Sequence, residues 1–331
     1  MSADGGSAPT LTATGSARWP ELPWRDWAPT ISTLHMWLQI VGKVRLELAQ
    51  PLNHWWHVPL YVTARGLTTS PIPYHGRAFQ VEFDFVEHSL RVDDGDRETF
   101  SLALEGLSVA RFYRDFMAGL RSRGIDVSIW PHPVEVVEAV HFDEDERHAS
   151  YDRHHAKAFW KALLQVDRVL KAFQTGFVGK ASPVHFFWGG FDLATTRYSG
   201  NPAPRHPGGV PNCPDWVMEE AESHQNVTVG WWPMSDAPGP AFFGYAYPEP
   251  DGFREAAIGP AGAFFDDAFR EFLLPYDAVR NAADPDAALH QFLQSIYEAG
   301  ANLGGWDRGA LEPAELPQRP PRRPWSLTIE R

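Results

Sequence analysis

The feature that most constrains the fold is a passage written twice. Ala64-Arg-Gly-Leu-Thr-Thr-Ser-Pro-Ile-Pro-Tyr-His-Gly76 and Phe191-Asp-Leu-Ala-Thr-Thr-Arg-Tyr-Ser-Gly200 are near-copies. Superposing Thr68-Thr69 on Thr195-Thr196 gives an offset of 127 residues. At that offset the apolar run His57-Val-Pro-Leu-Tyr-Val-Thr63 falls on Val184-His-Phe-Phe-Trp-Gly-Gly190, and both read as short strands. Each run follows a helix candidate, about Trp27 to Ala49 in one case and about His148 to Phe173 in the other. Downstream, Phe79-Gln-Val-Glu-Phe-Asp-Phe85 alternates apolar and polar residues strictly. A hairpin follows: Ser89-Leu-Arg-Val92, the turn Asp93-Asp-Gly-Asp96, then Thr99-Phe-Ser-Leu-Ala-Leu104. The second copy answers with strand-type runs from Val227 to Trp232, Ala241 to Tyr247 and Glu255 to Ile258.

Each copy is expected to close with a helix, around Tyr113-Arg-Asp-Phe-Met117 and around Phe269-Arg-Glu-Phe-Leu273. The offset there, Arg114 to Arg270, is 156 because the second copy carries an insertion between Gly200 and Asn226. The reading is therefore α+β: a helix, four-stranded antiparallel sheet and helix, duplicated in tandem and packed as a pseudo-dimer. Repeat one covers 19–140 and repeat two covers 141–282 with a loop insertion at 201–225. Val127-Ser-Ile-Trp-Pro131 reads as a linking strand and Asp143-Glu-Asp-Glu146 as an acidic loop. A last helix within 283–311 starts with Asp284 as N-cap and Pro285 at N1, ends by Gly300, and reads as a cover over the pair. Met1 to Arg18 reads as a disordered leader, and 312–331 as an extended Pro/Arg-rich tail.

Charge and cysteine content narrow the function classes. The formal net charge is −13, which argues against nucleic acid or an anionic membrane as the main partner. The dense basic run, Arg319 with Arg322 and Arg323, sits in the tail, where a protein partner could dock. The single cysteine, Cys213, excludes an internal disulfide and fits a cytoplasmic location. No run approaches the length of a membrane span. The 14 Trp and 14 His imply large aromatic cores, aromatic-lined pockets, or both.

Duplicated units pack about an axis, and positions where the copies differ are the informative ones. Strand alternation puts His57, Tyr61, Thr63 and Arg65 on one face, matched by Val184, Trp188, Gly190 and Asp192. The Arg65/Asp192 pair reads either as a salt bridge fixing how the halves dock or as a ligand site. In the second reading Arg65 grips a carboxylate or phosphate and Asp192 serves as base or second anchor. Thr68, Thr69, Thr195, Thr196 and Arg197 read as turn-capping groups or as the lining of an anion site.

A metal is the second hypothesis. His206, Glu220 and His224 lie in or beside the insertion, and Glu220 and His224 are four apart on an expected short helix. No His-Glu-x-x-His pattern, nucleophile elbow or phosphate loop is present. The cofactor therefore stays unassigned.

Four runs carry a resemblance: Trp19-Pro-Glu-Leu-Pro-Trp24, Asn53-His-Trp-Trp-His57, Ser182-Pro-Val-His-Phe-Phe-Trp188 and Tyr276-Asp-Ala-Val-Arg280. On these the chain resembles a bacterial family known as a domain of unknown function, number 5996, from about Trp19 to Glu312. The resemblance implies one full-length family unit and no particular reaction. The functional expectation is small-molecule binding, with catalysis as an option, in an aromatic and His-lined cleft between the repeats. The rivals are a metal-dependent enzyme and a non-catalytic scaffold that uses the tail.

Overall fold

The structure is a computed structural model that describes residues 19–95, 99–233 and 239–314. The expected leader, the turn residue Asp96 and the tail beyond residue 314 lie outside the described residues.

The chain opens with α1 (Trp24–Leu48), whose residues are buried on every side from Thr33 to Arg45. A helix apolar all round belongs inside a protein, and α1 occupies the centre of this one. A short 3-10 turn (Asn53–Trp55) leads into β1 (Tyr61–Val62), β2 (Gly66–Thr68), β3 (Ile72–Tyr74), β4 (Arg77–Asp84), β5 (Ser89–Asp93) and β6 (Phe100–Ala103). They form an antiparallel sheet in the order β1-β2-β4-β5-β6, with β3 also paired to β4. The β3–β4 hairpin turns on His75 and Gly76, both at positive φ (44° and 80°). A two-residue loop with that backbone matches the twist of the flanking strands, which is why a glycine stands there.

After α2 (Val109–Ser122) and α3 (Arg153–Gln174) comes a second antiparallel sheet. It comprises β7 (His185–Phe187), β8 (Asp192–Pro202), β9 (His224–Trp232), β10 (Ala241–Tyr247), β11 (Phe264–Asp266) and β12 (Glu271–Pro275), in the order β7-β8-β9-β10-β12-β11. Between β8 and β9 lies the short α4 (Asp215–Ala221); α5 (Tyr276–Arg280), α6 (Pro285–Leu303) and α7 (Arg308–Leu311) complete the chain. The inner edges of the two sheets meet at Leu60 and Phe186, whose backbones exchange two hydrogen bonds of 2.9 Å. None of the described helices is long and apolar enough to cross a membrane.

The helices stack on these sheets: α1 against α2 and α3, α3 against α6 and β8, and α6 against β9 and β10. One continuous core runs between the layers. Its spine is aromatic. Trp37 stacks on Phe112, Phe112 on Phe83, and Phe85 meets Phe159, which also contacts Phe191 and Trp231. Part of the Trp and Phe content is thereby spent on joining the halves.

Several sequence expectations are corrected. Phe269–Leu273 is not a closing helix. Glu271 and Leu273 alternate with Phe272 and Leu274 along β12, so the segment obeys the two-residue period of a strand. Glu255–Ile258 forms turns rather than a strand, and 127–131 is irregular rather than a linking strand. The last helix keeps its expected cap, the Asp284 side chain accepting from the Ala287 N–H, but it is no cover over both halves. It packs on the second sheet beside α3.

Candidate functional site

A cleft of about 1120 Å³ opens over the face of the second sheet that points away from α3 and α6. The period of β8 makes this face. Leu193, Thr195 and Arg197 turn toward the helices, while Asp192, Ala194, Thr196 and Tyr198 turn into the cleft. Ala194, Phe243 and Leu273 form a small second core there with Phe187, Trp232 and Tyr245. The remaining walls come from α1, the 3-10 turn, the chain around Val134–Val136 and the insertion around α4.

The Val134–Val136 wall is pinned residue by residue. Gln39 of α1 donates to the Val134 carbonyl at 2.8 Å and accepts from the Val134 N–H at 2.9 Å. The Glu135 N–H donates to the Pro211 carbonyl at 2.8 Å, and Asn212 donates to the Val136 carbonyl at 2.6 Å. Glu135 is held at φ 60°. Its carboxyl lies over Gly189-Gly190, where a Cβ on Gly189 would stand 2.0 Å from Oε1. A nucleotide loop is therefore not needed to explain this Gly-Gly; it makes room for a carboxylate. The Nε2–H of His35 donates to the Gly189 carbonyl at 2.7 Å and ties the same strip to α1.

Six carboxyl groups line the cleft, and four of them are raised by burial: Glu135, Asp192, Glu222 and Glu271. Enclosure by the walls pushes Glu135 up to about 7 and Glu271 up to about 8. Asp192 is raised by burial first and then by the neighbouring charges of Glu135 and Glu271. Burial also raises Glu222, although it accepts from Asn226 at 2.6 Å and from the Tyr245 hydroxyl at 3.0 Å. Among the described residues no salt bridge reaches any of the four. Glu135 and Glu271 therefore hold protons near neutral pH, the condition for proton transfer.

One lysine lines the cleft, and a second supports its wall through His54. Lys43 of α1 is only 4% exposed, with its ammonium 4.9 Å from the centre of the Trp130 ring and 5.9 Å from that of Trp188. Burial lowers it to about 8. Trp188 reaches this place because residue 42 is glycine: a Cβ there would be 2.3 Å from the indole. Lys180 donates to Nε2 of His54 at 2.6 Å, and Nδ1–H of His54 donates to the Ala221 carbonyl. His54 is therefore neutral, and burial lowers its pKa. Trp130, Trp216 and Phe269 are exposed at the cleft's edge.

A family model described as "Family of unknown function (DUF5996)" matches residues 19–313. The chain belongs to DUF5996. No curated protein and no solved structure matches it.

In this DUF5996 chain the predicted residues divide. Asp192 and Trp188 line the cleft. Arg65 does not face Asp192. It pairs with Asp84 at 2.6 Å and Glu87 at 3.4 Å, because the β2–β4 register sets Gly66 opposite Asp84. The Nδ1 of His57 accepts from the Leu52 N–H, closing the turn into β1. Tyr61 lies under the Arg45 guanidinium. Thr68 donates to the Val81 carbonyl on the neighbouring β4 and accepts from the Ser70 N–H of its own turn. Thr195 bonds Ser182 and Gln174 on the helix side of the sheet. Arg197 is buried there between Phe173 and Tyr297 rings, and burial lowers it to about 10. None of these six lines the cleft.

The metal candidates are also dispersed. His206 packs against the Tyr247 ring, Glu220 accepts from the His54 N–H, and His224 bonds Ser223 from β9 rather than from the helix of Glu220. Among the described residues no three His, Cys, Asp or Glu side chains form a metal-holding group. Cys213 lines the cleft, but burial pushes its thiol up to about 11, away from reactivity. The sequence reading missed Lys43, Glu135, Glu222 and Glu271. Lys43 left a legible signal, a lone lysine in the apolar run Leu38 to Val44. The three glutamates left none, since remote segments bring them together.

Proposed function

We propose that the cleft binds a small organic molecule and moves a proton on it, with Glu135 and Asp192 as the acid–base pair. One observation carries the reading. Both carboxyls converge on Gly190, where an added Cβ would sit 3.3 Å from Oε2 of Glu135 and 2.9 Å from Oδ1 of Asp192. Two carboxyls so placed, with no cation paired to either among the described residues, do not both ionise at neutral pH. One holds a proton to give and the other accepts one, while the aromatic walls supply the binding surface.

The duplication belongs to the same reading. Both sheets are antiparallel with six strands and begin alike, β1-β2 and β7-β8 at the facing edges, though the first carries β3 off its path and the second exchanges its last two strands; the Leu60–Phe186 pair is where a pseudo-twofold axis would pass. On this view the insertion and the linker converted one copy's sheet face into a cleft. The cytoplasm remains the proposed location.

The test is a carbon-13 NMR titration of Glu135 and Asp192, with Asp192→Asn as the control. Two separated steps are expected, one of them near neutral pH, collapsing to one in the variant. Two ordinary carboxylate steps near pH 4 would remove the acid–base role. Native against denaturing intact mass tests binding: a metabolite-sized excess lost in Asp192→Asn locates the ligand in the cleft, and one retained unchanged locates it elsewhere.

A further inference from the structure

We propose that Lys43 is a nucleophile that condenses with the carbonyl group of an aldehyde or ketone substrate in the cleft, forming an imine. The inference rests on the reading of the cleft as a small-molecule site and goes further by naming the substrate class. Three observations support it. The side chain is more than nine-tenths buried, yet it lines the cleft rather than a sealed core. No hydrogen bond or ion pair to its ammonium is found among the described residues; it has only the faces of Trp130 and Trp188. An ammonium walled in by two indoles at a cleft has little water to solvate it, and losing a proton relieves that cost. The groups around it are Glu47 one turn along α1, which favours its charge, and Cys213 on the opposite wall. Together they do not offset burial, so a usable fraction of Lys43 is the free amine near pH 8.

The chemistry balances without a redox partner. The Nζ lone pair of Lys43 attacks the carbonyl carbon and a C–N bond forms as the C=O π bond opens. The carbinolamine oxygen takes up protons and leaves as water, which carries away the oxygen and both amine hydrogens of the net condensation. A protonated carboxyl assists that departure and recovers its proton from the nitrogen. The raised carboxyls Glu135, Asp192, Glu222 and Glu271 of the same cleft are the candidates for that role.

The chain helps the test, because it has only five lysines. The full-length protein is incubated with pyruvate or benzaldehyde and sodium cyanoborohydride, which delivers hydride to an imine carbon and fixes it as a secondary amine. Peptide mapping then locates the adduct. Lys43 is expected to react on the order of tenfold or more faster than the exposed Lys157, Lys161 and Lys171 at pH 7, because far more of it is neutral. The preference should shrink above pH 10, and Lys43→Met should remove the fast adduct while remaining folded by circular dichroism. An adduct spread evenly over the lysines, or none at Lys43, overturns the imine. Tryptophan fluorescence in the same samples separates the two proposals. Quenching by the probe without a Lys43 adduct leaves cleft binding standing. No quenching and no adduct counts against both.

Discussion

The two sheets are both antiparallel and six-stranded but treat buried charge in opposite ways. On the first sheet Asp84 is fully buried and answered: Arg65 bonds it at 2.6 Å, Arg91 lies 3.9 Å away, and the Val86 and Glu87 N–H groups donate to it. These partners hold it below the ordinary carboxylate range despite its burial. On the second sheet Asp192, aligned with Arg65 by the repeated motif, meets Glu135 and Glu271 and no described cation, and is raised. An ionic network that satisfies itself fixes structure. A cluster that does not is unstable alone and is completed by something that binds it.

The largest expected effect tests that contrast. Asp84→Ala leaves the Val86 and Glu87 N–H groups without their acceptor and should cost about 2–3 kcal/mol in urea unfolding, whereas Asp192→Ala should change stability by under about 1 kcal/mol in either direction. Equal losses would erase the distinction between the sheets. Next comes Gly42→Ala, which drives a methyl into the buried Trp188 ring and should cost roughly 2 kcal/mol. Gly189→Ala meets only the end of the Glu135 side chain, so it should cost less than about 1 kcal/mol while moving the Glu135 titration. A stability loss at Gly189 as large as at Gly42 would mean that Glu135 is a structural wedge.

The pH dependence separates the sheets by sign. Glu135 and Glu271 have folded pKa values above their unfolded ones, so the folded state binds more protons and stability declines as pH rises from about 5 to 8. Glu271→Gln should flatten that decline and raise Tm at pH 8 by roughly 2 °C. Asp84 acts oppositely. Its contribution is present above the unfolded carboxylate pKa and is lost as pH falls through its lowered folded value. Thermal melts between pH 3 and 8 in wild type and both variants read these slopes. The smallest effect is at Arg91, whose half-exposed side chain is 3.9 Å from Asp84; Arg91→Ala should cost under about 0.5 kcal/mol.

Local periodicity made much of the fold legible. The helix before each strand run, the alternation of β4 and the cap of α6 could all be read from neighbouring residues. Analogy failed where period should have decided: Phe269–Leu273 mimics Tyr113–Met117 in composition, yet Glu271–Pro275 alternates and pairs with β10. The site was half legible. Asp192 and Trp188 emerged because the copies differ there. Arg65 misled because cross-strand register, which puts Asp84 beside it, cannot be seen in an alignment of the two motifs. Glu135 was invisible because its position depends on hydrogen bonds that its segment gives to Gln39 and Pro211 and accepts from Asn212, all remote from it in sequence.

The Leu60–Phe186 pair has a consequence for solubility. A meander sheet has two open edges, each a template for unwanted strand addition. Here the edge at β1 is closed by the edge at β7, so each half removes the other's most dangerous surface. Either half made alone would expose that edge together with the aromatic residues of the shared spine. It would be driven to pair with a second copy of itself or to aggregate.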